Sequence, residues 1–449
     1  MKKVVVILIL FPVFSIAQSV IGSVIGKKSN LPIADVNITL KQFDESYITD
    51  EKGKFKLKKI SKFQENDTLY FSHIGYVSRK IIYKELEDKD FKVFLDEKIE
   101  GLDSVTLTFS SSKQLKLKIS YSKLAPQKYP LSNFGAVLKD KKIYVIGGDA
   151  SFTTDAWKKV QYEKVDPTME EYIRELKFQF SGQMYNGNLM IYDIDTNEWE
   201  TSLLKFRKRA FHNLNEHNDK IFVFGGKRVS VNGVFEYLDD KMEVLDINKQ
   251  TITVDNTNPH QAATFASFTY NNSLIVMGGS VKMSDNGIKK YSDKVHLYNL
   301  SSGYWYELAA MPIAKETSGV LIKNKIYLFG GFNGKPLSAI ESFDLVTEKW
   351  KTEGNLFCTL NNPAIASNDD LVYLFENGKI YTYSTNTKEL KEYLIDLPMK
   401  ASKLFFYNDK LYLLGGYIEN YYSKFPSPNF FSIDSNEFKN TKPNRTAIL

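Results

Sequence analysis

Six short apolar strands recur along this chain, and five of them end in a glycine doublet. They are IYVIGG (Ile143 to Gly148), IFVFGG (Ile221 to Gly226), LIVMGG (Leu274 to Gly279), IYLFGG (Ile326 to Gly331) and LYLLGG (Leu411 to Gly416). A sixth copy, VYLFEN (Val372 to Asn377), keeps the strand and loses the glycines. Successive doublet positions lie 78, 53, 52, 46 and 39 residues apart. A repeat of this period constrains the fold strongly, because one unit cannot bury its apolar face without stacking on its neighbours. Downstream of each strand come two aromatic or apolar residues with a fixed offset of seven: Tyr192 and Trp199, Leu245 and Ile252, Tyr298 and Trp305, Phe343 and Trp350, Tyr383 and Leu390, Phe431 and Phe438. Turn-forming residues separate them, as in DIDTNE and NLSSGY, so each pair reads as a hairpin of two strands. The 31 Phe and 27 Tyr supply strand-favouring core material.

Met1 to Ala17 reads as a signal peptide. Lys2 and Lys3 precede an apolar run, Val4 to Ile16, and small residues Ser15 and Ala17 precede the expected cleavage site. The run is shorter than the roughly 20 residues a membrane span needs. The mature chain is therefore expected to be exported (periplasmic, at the cell surface or secreted), with no transmembrane span. An exported chain with the single cysteine Cys358 has no internal disulfide and must be held by packing. The formal charge is +6. Beyond the signal segment, the excess concentrates in residues 99–128, where Lys113, Lys116, Lys118, Lys123 and Lys128 stand against Glu100 and Asp103. That stretch reads as a solvated linker. A near-neutral main domain argues against a nucleic-acid partner.

Residues 18–98 read as short strands with punctuation: VNITL, then TDEKGKFKL with a turn at Gly53, then DTLYFSHIGY ending at Gly75. On LPIADVNI, TDEKGKF, SHIGY and LDEKIEGLDSVTL, this segment resembles the carboxypeptidase-regulatory-like β-sandwich domain at the start of many exported proteins of the Bacteroidota. Ala34-Asp35 stands where that family usually has Gly-Ala. The resemblance implies a structural or docking role rather than catalysis.

From Tyr129 to Leu449 the strand-plus-hairpin unit resembles the kelch repeat. Six copies imply six blades of four strands around an axis. The expected fold class is all-β, a six-bladed kelch β-propeller preceded by a small β-sandwich. The glycines are expected to turn the chain where side chains would crowd the next blade, and Trp199, Trp305 and Trp350 to fill the wedge between blades. One strand before each glycine strand should line the axis, joined to it by a short turn. The long, variable loops then fall on the Gly-Gly side, which is the expected working face. A helical insertion near 149–187 is expected to be capped by Asp166 and to begin at Pro167. Its stripe of Met169, Tyr172, Ile173 and Leu176 is expected to pack on the propeller. Trp157, outside the repeat frame, is a candidate for ligand contact. The ring is expected to close either with a strand from the link (Gln114 to Ser120) or with none, the last repeat supplying its own outer strand.

Counting back 11 or 12 residues from each glycine strand gives Ser132, Arg209, Ala263, Lys315, Asn361 and Lys400. Three cations at one mouth of the axis (Arg209, Lys315 and Lys400) would favour an anionic ligand, a sugar acid or a partner's carboxylate. The competing reading pairs them with Glu316 and loop acids. His212, His260 and Glu316 are candidate acid–base groups near the axis. Sialic-acid mutarotases are exported kelch propellers of similar size, so a mutarotase or epimerase using Arg209 with His212 or Glu316 is the alternative function, although a fold does not carry an activity. The five histidines show no metal-ligand spacing, the copper ligands of galactose oxidase cannot be matched, and no nucleotide-binding loop is present; no metal or cofactor is expected. The leading expectation is a non-catalytic protein that binds a glycan or protein on the loop-rich face, with Arg209, His212, Lys315, Glu316, Lys400 and Trp157 as site residues. A purely structural envelope component is a third reading.

Overall fold

The computed structural model describes residues 19–40, 45–57, 63–98, 115–164, 166–177, 179, 184–231, 235–283 and 289–449. The expected signal peptide lies outside them. The chain forms two compact units. One contains the described residues up to Lys98 together with Ala156–Lys177; the other contains those from Leu115 to Asp155 and from residue 179 to Leu449.

The first unit is built from two sheets. Val20–Gly26 is central in a three-stranded sheet, antiparallel to Lys54–Leu57 and parallel to Lys92–Leu95. The other sheet runs in the order Glu45–Ile48, Asn37–Leu40, Thr68–Ser72, Arg79–Ile82. Alternate residues point inward, as a period of two requires. Val24, Ile38, Leu40, Phe55, Leu69, Phe71 and Val93 thus meet in one core. Gly53 turns with φ +67°, and a Cβ there would lie 2.7 Å from the Val24 carbonyl.

The insertion contains two helices, Ala156–Glu163 and Met169–Leu176, in contact with each other. The expected cap at Asp166 is displaced: Thr168 caps the second helix in a reciprocal box with Glu171, and Asp166 instead pairs with Lys56. The helical stripe expected to be buried is largely open to solvent. Met169, Ile173 and Leu176 are exposed, and the helices group with the N-terminal unit.

The second unit is the propeller. Its blades, from the axis outward, begin with Gly135–Lys139, Asn213–His217, Ala266–Tyr270, Gly319–Ile322, Ala364–Asn368 and Lys403–Tyr407, each antiparallel to its glycine-repeat strand. In blades one to five the seven-residue offset is a cross-strand pair: Tyr192 opposes Trp199, Leu245 opposes Ile252, Tyr298 opposes Trp305, Phe343 opposes Trp350, and Tyr383 opposes Leu390. The indole N–H groups of Trp199, Trp305 and Trp350 donate to Ala125 O, Thr257 Oγ1 and Ala309 O, so the tryptophans are tied into the framework.

The doublets join blades. The N–H groups of Gly148, Gly226 and Gly279 donate to carbonyls of the segments that lead into the next blade at 2.7–2.8 Å, and that of Gly331 donates at 2.9 Å to Leu360 O, where its own blade's outer strand ends. At Gly225, φ is +69° and an added Cβ would lie 2.4 Å from the Phe265 ring of blade three. Blade five retains the inter-blade bond without the doublet, because Asn377 N–H donates to Met399 O at 2.8 Å. Asn377 takes φ +47° and, with Gly378, makes a two-residue hairpin between Glu376 and Lys379.

The ring closes with a strand from the link, as the first expectation had it, but two residues beyond the expected segment. The outer strand of blade six is Ser122–Lys123, just beyond Gln114 to Ser120, paired with Phe431 and Ser432. Phe438 forms no outer strand; it lies on a helical turn, Glu437–Asn440, and packs against Tyr373 and Tyr393. The C-terminal strand Arg445–Ile448 adds a fifth strand to blade five.

Candidate binding site on the Gly-Gly face

The short first turns all lie on one face of the propeller, and the Gly-Gly face carries the structured loops. Blade two contributes a hairpin of Lys227–Val229 and Glu236–Leu238, and blade three one of Ser280–Met283 and Lys289–Tyr291. Blades one and six share a four-stranded sheet, in the order Thr153–Thr154, Ser423–Pro426, Tyr417–Glu419, Met399–Lys400.

The three expected cations do not converge on a ligand. Arg209 is fully buried; its guanidinium donates to the carbonyls of Gly225 and Lys241, and to Glu243 at 2.7 Å, with Asp239 at 3.3 Å. Lys315 is buried too and makes the equivalent contacts, to Gly330 O at 2.9 Å and to Glu341. Both acids oppose the third residue of their glycine strand, Val223 and Leu328. Blade three solves the same problem with histidines. His260 Nε2 lies 2.8 Å from Gly278 O, and its Nδ1 lies 2.9 Å from Nδ1 of His296, which opposes Val276. Lys400 pairs with Glu419 at 2.8 Å. The anionic mouth therefore fails because each cation already has a carboxylate. Glu316 is not their partner; it pairs with Lys289 at 2.8 Å. His212 is buried, accepts from the Gly135 N–H at 3.2 Å, and is held neutral by burial and then by Arg209 and Lys403. Trp157, on the first inserted helix, sets its ring edge-on to Tyr172.

A pocket of about 270 Å³ opens instead among the loops of blades six, one and two. Asp149 follows its doublet and is fixed by a two-way backbone bridge to Ser132. Burial raises its pKa, opposed by the Ser151 bonds. The Tyr185 hydroxyl bonds Glu236, which also takes Lys227 at 3.1 Å; burial and then Glu236 push the phenol pKa up. The Lys424 amine stands 3.9 Å from the centre of the Tyr417 ring, with the Glu419 and Asp149 carboxylates acting on it electrostatically. Burial lowers its pKa.

Asn133 and Phe211 line both this pocket and the axial channel. Asn133, Phe211 and Thr264 all have positive φ, at 51°, 61° and 54°. They are linked around the channel mouth: Phe211 N–H donates to Asn133 O at 2.7 Å, and Thr264 N–H to Phe211 O at 3.0 Å. Left-handed backbone at a bulky or β-branched residue is costly and clusters at ligand sites.

Sequence reasoning pointed to the side of the doublet on which this pocket opens but, of the residues that line it, singled out only Ser132 by position. The position after the doublet was the available signal, since Asp149 and Tyr417 both occupy it. Tyr185, Glu236 and Lys424 lie in loops of unequal length, where no register exists to count from.

Blade topology and inter-blade contacts define a kelch-type β-propeller, preceded by a separate small β-domain. Comparison with known proteins agrees. Residues 177–384 match the KLHDC2/KLHL20/DRC7 Kelch-repeats domain, and residues 20–107 match the CarboxypepD_reg-like domain. The chain thus carries a kelch-repeat domain and a carboxypeptidase-regulatory-like domain. It is similar to Kelch-like protein 41b of Danio rerio, 31% identical over 146 residues, which is 32% of this chain and 23% of that protein. The chain therefore spans about a quarter of that relative's length. Among solved structures, that of YjhT superposes with TM-score 0.53 at 12% identity, covering 68% of this chain and 96% of YjhT, a likeness of fold alone.

Proposed function

We propose that the protein is an exported, non-catalytic binding protein whose propeller recognises a glycan in the pocket on the Gly-Gly face. Kelch propellers support an interaction role in general, and the finer reading rests on the pocket. The observation that carries it is the combination of aromatic faces (Tyr417 and Phe211) with charged groups (Asp149, Glu236 and Lys424) in a cavity of about 270 Å³. A sugar ring presents an apolar face and a polar edge, and such a lining is matched to both. Export rests on the Met1 to Ala17 segment. The mutarotase alternative has lost two of its expected groups to structural pairing, Arg209 to Glu243 and Glu316 to Lys289.

A glycan array probed with the purified chain tests the reading. Binding is expected, with loss of about tenfold or more on Tyr417→Ala or Lys424→Ala. A blank array together with a protein recovered by pull-down would transfer the role to protein recognition. Acceleration of sugar mutarotation by the chain would establish the enzymatic alternative instead.

A further inference from the structure

Register places one residue of each blade in a ring at the Gly-Gly end of the axial channel, opposite the last residue before the doublet. The ring is Gly135, Asn213, Ala266, Ser318, Ala364 and Lys403. Five members are small or neutral, which leaves the axis open as a cavity of about 410 Å³. Among the described residues that line it there is no Asp or Glu, and Lys403 is the sole Lys or Arg. Among those residues, the Lys403 amine has one hydrogen-bonding neighbour, Asn213 Oδ1, at 3.5 Å, the outer limit of a hydrogen bond. The Asn213 amide nitrogen is already committed to Phe265 O at 2.6 Å.

Lys403 thus differs from Arg209, Lys315 and Lys400, each of which has a carboxylate. Protein surrounds it, and the exposure it keeps is to the channel. Burial alone lowers its pKa to about 8, so it is still mainly charged at neutral pH. An enclosed cation without a counter-charge is unfavourable, and an anion entering the channel would relieve that cost.

We propose that the axial channel is a binding site for a small hydroxylated carboxylate, its anionic group on the Lys403 amine and its hydroxyls among the Ser267 and Ser367 side chains. One cation matches one negative charge, and a phosphate dianion would bring a second, uncompensated one. The cavity is large enough for a ligand of single-sugar size. Asn133 and Phe211 border both cavities, but Lys403, Ser267 and Ser367 line the channel alone and Lys424 the face pocket alone, and the proposal does not depend on the glycan reading.

Calorimetric titration of the full chain with D-glucuronate, D-glucose and inorganic phosphate tests it. Glucuronate is expected to bind at least about tenfold more tightly than either of the others. Lys403→Met removes the charge, keeps the bulk of the stem, and is expected to fold with an unchanged or higher Tm; it should bind glucuronate no better than glucose. Ser318→Asp supplies the ring with its own carboxylate and should abolish glucuronate binding. Lys424→Ala should leave it intact, which separates this site from the face pocket. No glucuronate binding to the natural chain, equal affinity for glucose, tighter binding of phosphate, or retained glucuronate affinity in both Lys403→Met and Ser318→Asp would overturn the assignment.

Discussion

At the scale of residues, the same cation can be a ligand group or a buried strut, and composition does not distinguish them. Arg209 and Lys315 satisfy the first glycine carbonyl of their doublet and an acid on the third strand of their blade. Arg209→Ala would leave Glu243 buried without its cation, while Asp239 keeps Arg207 at 3.1 Å. The expected loss is about 3–5 kcal/mol, read as a shift in the urea midpoint. The histidine pair of blade three makes a second prediction. With both rings neutral, His260 Nε2–H donates to Gly278 O and its Nδ1 accepts from His296 Nδ1–H. Burial lowers the pKa of both, that of His260 to about 4. The unfolded imidazole protonates near 6.5. Stability from this pair is therefore complete above about pH 6.5 and is lost as pH falls towards about 4, by on the order of 3 kcal/mol for His260. Urea unfolding between pH 7 and 4 should show a shallower acid loss in His260→Gln than in the natural chain. An identical slope would remove the pair from the account.

At the scale of elements, the kelch repeat was legible where the partners are close in sequence. The seven-residue offset is a hairpin because its two members face each other across one turn. Trp350 opposes Phe343 with ring centroids 4.7 Å apart, and Trp350→Ala should cost about 3 kcal/mol of unfolding free energy. The same offset misled at Phe431 and Phe438. The edge beside Phe431 is taken by Ser122–Lys123 from the far end of the domain, and no local pattern records that. Leu124 N–H donates to Phe430 O at 2.9 Å in this closure. Leu124→Pro removes that donor at the ring's seam and should lower Tm by several degrees in a thermal melt. Blade five repeats the lesson: its outer strand, Glu389–Leu394, is covered by Arg445–Ile448, which arrives only after the whole of blade six.

At the scale of the whole molecule, the direction of the doublet had functional content, because it separates the face of uniform short turns from the face of structured loops. Substitutions in the short turns, such as Asn271→Gly at φ +50°, are expected to leave ligand binding unchanged. Lys424→Ala on the other face should weaken it, and binding assays on the two variants compare the faces directly. The sequence by itself determined the blade count, the strand order within blades and the face on which loops diverge, because those follow from periodicity and short-range pairing. Only the tertiary structure decided which charges are neutralised, which segment closes the ring and where a cation is left alone. Arg209 meets Glu243, Phe431 meets Lys123, and Lys403 meets no acid among the residues lining the channel, because folding brings together residues far apart in the chain.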